Sequence, residues 1–230
     1  MKVSHRFVII TAIFVTCLIT ANIIVIKPIG LGFSLLGVPV SLPAAIVIFP
    51  LSYIVGDILT EVYGYRLARR VIWLGFACNL IAVAAIWIGQ MLPPNPVWQG
   101  QQAYESTLGY VPRILLASFV AYLVGEFSNS FVLAKMKIKT KGRWLWSRTI
   151  GSTIVAQLLD AAVFIPLAYI GLFEPSFIVV ASLALWIGKV GYEILATPLT
   201  YAVVNYLKKK EGLDTFDYDT DFSPFSVEVR

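Results

Sequence analysis

Apolar runs of about 20 residues recur along the chain, each long enough to cross the hydrocarbon of a bilayer as a helix. They predict spans at Phe7–Ile26, Leu42–Tyr63, Val71–Met91, Arg113–Ala134, Thr149–Gly171 and Phe177–Leu207. Between the first two, Lys27 to Pro43 is rich in Gly and Pro. Its short apolar pieces Leu31–Leu36 and Val38–Leu42, around Gly37, either pair as a small outer hairpin or re-enter the bilayer. Leu92–Pro112, with Pro93, Pro94, Pro96 and Trp98, reads as an outer loop dividing the helices into two sets of three. An odd number of crossings would make the halves, if related, inverted repeats, although no residue-level repeat accompanies the division. The predicted fold class is thus all-α: a polytopic membrane protein of six transmembrane helices over residues 1–230, one membrane domain ending in a tail at 211–230.

Polar residues interrupt these runs at few positions. Asp57, Glu61, Glu126, Asp160, Lys189 and Glu193 would each cost about 2.5–3.5 kcal/mol against lipid, so they must line an interior. They recur at helical spacing: Tyr53, Asp57 and Glu61 below Pro50, a predicted kink; Ser118, Tyr122, Glu126 and Asn129; Thr153, Gln157, Asp160 and Phe164; Lys189, Glu193 and Thr197. Four stripes with an aromatic on or beside each (Tyr53, Tyr122, Phe164, Trp186, Tyr192) describe a pocket for a flat polar ligand. The pairs Glu126/Asn129 and Gln157/Asp160 place a carboxylate and an amide at i, i+3, the groups that read the donor and acceptor edge of a purine-like ring. Structural roles stand beside this reading. Lys189 and Glu193 can neutralise each other, Asp57 and Glu61 can brace the cytoplasmic loop through Arg66, Arg69 or Arg70, and amides also glue helices together. Glu126 and Asp160 have no basic neighbour at helical spacing.

Composition changes the picture only by sharpening it. With 58% hydrophobic and 13% charged residues and a mean hydropathy of +0.80, the chain lacks the polar surface of a soluble domain. Of its 18 Lys and Arg, only Lys27 and Arg113 fall in outer segments if both termini are cytoplasmic, and Lys189 lies in a span. That asymmetry predicts an N-in, C-in protein of the bacterial inner membrane. It also places the net charge of +5 at the membrane surface rather than on nucleic acid, with the loop from Lys135 to Arg148 carrying Trp144 and Trp146 at the interface. Lys2, His5 and Arg6 precede the first run as in a signal peptide, but no small-x-small site closes it, so it is read as a retained helix. Cys17 and Cys78 and the single histidine build neither a disulfide framework nor a metal site, and no cofactor is expected. Asp214, Asp217, Asp219, Asp221 and Glu228, interleaved with Phe216, Tyr218, Phe222 and Phe225, read as a solvated tail.

The segment Phe49-Pro-Leu-Ser-Tyr-Ile-Val-Gly-Asp-Ile-Leu-Thr-Glu-Val-Tyr-Gly64, followed by Ala68-Arg69-Arg70, resembles the signature of the queuosine precursor transporters, also called the vitamin uptake transporter family. The resemblance continues through Gly125-Glu126, the stretch from Arg148 to Asp160, Lys189 to Pro198 and Phe222-Ser-Pro-Phe225. It implies a six-helix inner-membrane carrier that salvages 7-deazaguanines, such as 7-cyano-7-deazaguanine and 7-aminomethyl-7-deazaguanine, for queuosine in tRNA. Glu61, Pro50 and Arg148 are assigned gating or structural roles, and Tyr53, Asp57, Tyr122, Glu126, Asn129, Gln157, Asp160, Phe164, Lys189 and Glu193 substrate contacts.

Other classes fit less well. Gly56-Asp57 lacks the Gly-x-Gly-Asp of an intramembrane aspartyl protease, whose Tyr-Asp partner occurs only at Tyr218-Asp219, and there is no Gly-x-Ser-x-Gly, so no enzyme is expected. The membrane-embedded vitamin-binding subunit of an energy-coupling factor transporter shares the size and helix count and stands as the alternative. A channel would prefer small polar linings to buried charges. Five carboxylates against one lysine imply that at least one interior acid holds a proton, which makes protons a possible second cargo. A homodimer is left open.

Overall fold

The computed structural model describes residues 4–225 apart from 26, 36, 110, 111, 172 and 173. Lys2, Glu228 and Arg230 lie outside the described residues, as do the expected ends at Ile26 and Leu36. Helix α1 (His5–Ile24) is capped by Ser4, whose hydroxyl accepts from the Phe7 amide at 3.1 Å. Next come strands β1 (Pro28–Leu35) and β2 (Val38–Pro43), antiparallel and joined through Gly37 at φ 80°. The hairpin, not the re-entrant segment, is therefore what the Gly-rich stretch forms. A 3-10 turn, η1 (Ala44–Val47), leads into α2 (Phe49–Tyr63), and α3 (Tyr65–Met91) follows after Gly64 alone. The expected outer loop contains a short helix, α4 (Gln101–Leu108). Helices α5 (Pro112–Lys139), α6 (Leu145–Tyr169) and α7 (Pro175–Glu211) complete the chain.

Among the described residues five helices, α1, α3, α5, α6 and α7, are long and apolar enough to cross a membrane. The chain is a multi-pass membrane protein. The second expected span differs: α2 has only 15 residues, because η1 replaces its first turns. Pro50 lies in the first turn of α2, where its missing N–H costs no hydrogen bond, and it opens the helix instead of kinking it. Residues 52–65 are all buried, since α2 packs against α1, α3, α5 and α7 at the centre of the bundle. A helix enclosed by protein need not be apolar all round, which is why its polar face survives.

The basic segments are also more helical than expected. The connection between α5 and α6 shrinks to residues 140–144, and Lys137 and Arg148 are buried at 1% exposure on the helices themselves. The N-terminal ends of α1, α3 and α6 and the C-terminal ends of α2, α5 and α7 gather at one pole, opposite the hairpin, through contacts such as Arg6 to Glu211 at 3.1 Å and Arg148 to Glu61 at 2.8 Å.

At that pole the tail is docked, contrary to the solvated tail that its composition suggests. Both oxygens of Asp217 accept from the Tyr65 amide at 3.1 Å, capping α3. Arg69 donates to the carbonyls of Asp221 and Ser223, and Trp73 to that of Pro224. Phe222 packs on Tyr65 and Phe131 with the Lys135 ammonium 4.0 Å above its ring.

Candidate functional site

Helices α2, α5, α6 and α7 close a ring around a polar interior, and glycines let them approach. A Cβ on Gly125 would lie 3.2 Å from Asp160 Cβ and 3.4 Å from the Tyr53 hydroxyl, and one on Gly56 would lie 3.1 Å from Glu126 Oε2. Lys189 of α7 donates to Asp160 of α6 and lies 5.5 Å from the Tyr53 ring of α2, which completes the circuit. Followed turn by turn from the hairpin pole to the tail pole, the interior has three tiers.

The outer tier ends a cavity of about 50 Å³ between α1, η1, α5, α6 and α7. Asn22, Ile46, Ser118, Phe164 and Leu185 line it towards the hairpin, while Tyr122, Asp160 and Lys189 lie at its inner end. That is room for a few waters, so a purine-sized ring enters only if the walls give. The Tyr122 hydroxyl turns away to donate to the Ile72 carbonyl at 3.0 Å, leaving only its ring for the cavity. Asp160, without a basic neighbour on its own helix, is matched by Lys189 from the next one. Lys189 therefore pairs across helices with Asp160 and not along α7 with Glu193.

The middle tier is the unusual one. Asn129 donates to Asp57 Oδ1 at 2.5 Å. Among the described residues, Asp57 Oδ2, both carboxylate oxygens of Glu126, Asn129 Oδ1, Thr153 Oγ1, both amide atoms of Gln157 and Glu193 Oε1 are buried with no hydrogen-bond partner. Leaving one buried polar atom unmet costs about 1–3 kcal/mol, and more for a charged group. A stable interior does not collect so many on four facing helices unless something else satisfies them.

In the inner tier Glu61, fully buried, meets three cations: Arg148 through two bonds at 2.8 and 3.2 Å, Lys208 at 2.6 Å and Lys137 at 3.6 Å. Arg66, Arg69 and Arg70 are not its partners, because they lie beyond the turn at Gly64 and Arg69 serves the tail. Lys137 also donates to the carbonyls of Glu61 and Thr215, and both lysines hold Asp214 of the tail, at 2.6 and 2.9 Å. Burial acts to raise the Asp214 carboxyl, but these two lysines outweigh it and hold the group below its ordinary range. Lys137, Lys208 and Asp214 escaped the sequence reading, since nothing in the basic run separates Lys137 from Lys135 or Lys139. Among the described residues no three His, Cys, Asp or Glu side chains assemble as metal ligands.

The sequence profile of the family described as "Putative vitamin uptake transporter" matches residues 43–203, which take in α2, α5 and α6 whole and α7 as far as Val203. A "Probable queuosine precursor transporter" of Bacillus subtilis (strain 168) is 29% identical over 67% of this chain and 68% of its own length. The "Queuosine precursor transporter" of Escherichia coli (strain K12) is 29% identical over 53% of this chain, and a Haemophilus influenzae protein with the same name as the first is 26% identical over 55%. The match spans about half the length, 52%, of each of these two. No solved structure matches the chain significantly.

Proposed function

From the premise that this chain belongs to the vitamin uptake transporter family, we propose that it imports queuosine precursors, 7-deazaguanine bases such as the 7-cyano and 7-aminomethyl forms, across the bacterial inner membrane. The observation that carries this reading is the middle tier of buried, unmet polar atoms beneath an outer cavity. A deazaguanine offers a ring N–H and an exocyclic amine side by side, which suit the two free oxygens of Glu126, and a carbonyl that the Gln157 amide can donate to. Asp160 and Lys189, tied to each other between cavity and middle tier, part to admit the base. The Glu61 cluster closes the route towards the cytoplasm and opens to release it.

In this reading α2 and η1 together form the sixth crossing. Fifteen α-helical residues rise about 22 Å and four 3-10 residues about 8 Å, together about the 30 Å of the hydrocarbon. Both termini are cytoplasmic, as the basic residues require. The excess of carboxylates over ammonium groups in the interior suits coupling to protons.

Liposomes containing only this chain test the proposal. They should accumulate a labelled 7-deazaguanine, with guanine as the control, and accumulation should respond to an imposed pH gradient. Binding without flux would overturn the importer and favour the binding subunit of an energy-coupling factor transporter. Flux indifferent to the gradient would make the protein a facilitator.

A further inference from the structure

The middle tier contains three carboxylates, Asp57, Glu126 and Glu193, and the cations nearest to it are engaged elsewhere. Above, Lys189 donates to Asp160, and below, Arg148, Lys137 and Lys208 converge on Glu61 and Asp214. Between these two ionic tiers the described residues supply neutral donors and acceptors only: Asn129, Thr153 and Gln157, of which Gln157 is fully buried with both amide atoms unmet. A neutral planar base satisfies one of the three acids through its N–H edge and leaves the others in a medium of low dielectric, Asp57 with the Asn129 amide on one oxygen and no cation opposite either. A buried carboxylate without a partner is costly and either takes up a proton or meets a cation, and a ligand carrying a positive charge supplies the second where a neutral one cannot.

We propose that the site selects a cationic base, one whose ring substituent ends in a primary ammonium, over a neutral base of the same ring and size. Glu126, with both oxygens free, takes the N–H edge. Glu193, one turn inward of Lys189 on α7 and with Oε1 free, takes the ammonium. Because this rests on the deazaguanine reading above, the two members of that class that differ only in this respect are the discriminating probes. The 7-aminomethyl form is an ammonium at neutral pH, and the 7-cyano form is neutral.

Binding of both compounds to the purified protein at pH 7, by calorimetry, decides the matter. The aminomethyl compound should bind at least about tenfold more tightly, the increment of one hydrogen bond to a charged partner. Glu193→Gln should erase most of that difference, bringing the two affinities to within about threefold of each other. Equal affinities, or a preference for the nitrile, overturn the charge selection and leave the importer reading intact. Failure of both compounds to bind a protein that unfolds cooperatively overturns the importer reading itself. A preference that survives in Glu193→Gln, when that variant keeps its parent's thermal stability, overturns the assignment of the ammonium to Glu193.

Discussion

Glu126 and Asp160 are both buried carboxylates on facing helices, yet their amides should behave differently. Neither carboxylate oxygen of Glu126 has a hydrogen-bond partner among the described residues, so Glu126→Gln breaks no such bond and should leave the unfolding midpoint near that of the parent. Its loss should appear in binding, at about 1.5–3 kcal/mol or roughly 10- to 150-fold in affinity. Asp160→Asn instead takes the paired carboxylate away from the buried Lys189 ammonium and should cost about 3–5 kcal/mol of stability, as should Lys189→Met, which removes the cation from Asp160. Thermal unfolding and calorimetry on the same preparations check both halves, and an Asp160→Asn protein as stable as its parent would show that the pair is dispensable. That the six charged residues face an interior was legible in the sequence, because the cost of setting them against lipid depends only on residue type and depth. Which charges meet was not. Spacing along one helix made Glu193 the partner of Lys189, and only the packing of α6 on α7 brings in Asp160.

Among the elements, the corner between α2 and α3 is the most tightly specified. Gly64 has φ 86° and ψ 163°, a region that side-chain-bearing residues rarely enter, and a Cβ there would fall 2.6 Å from Thr215 Cγ2. Gly64→Ala should therefore cost about 1–3 kcal/mol in backbone strain alone and also push the tail off its seat. A lowered unfolding midpoint together with faster proteolysis between 212 and 225 would show both effects, while parental resistance in the tail would mean that the corner adjusts without it. The helices themselves were readable from apolar periodicity, and the hairpin from its glycines. Tail docking was hidden because Arg69, Trp73 and Lys137 hold it largely through main-chain carbonyls, which every residue possesses. Alternating acids and aromatics look the same whether solvated or seated. The short α2 was hidden for a related reason: a run of apolar residues does not reveal that its first turns wind as a 3-10 helix.

At the scale of the whole molecule, the gathering of six helix ends at one pole fits a chain that crosses an even number of times. A reporter placed after Phe225 should read cytoplasmic and one inserted near α4 should read external. Two reporters that agree with each other would remove one crossing, with α2 the first to be reconsidered. The seated tail carries a further consequence for the pole beneath it. It supplies the cap on α3 and, through Asp214, a second anion beside Glu61 for Lys137 and Lys208. With that segment lifted away, Arg148, Lys137 and Lys208 converge on Glu61 alone and α3 begins uncapped. The tail is therefore a fastening laid across the end of the bundle, and whatever competes for its seat loosens the Glu61 cluster beneath.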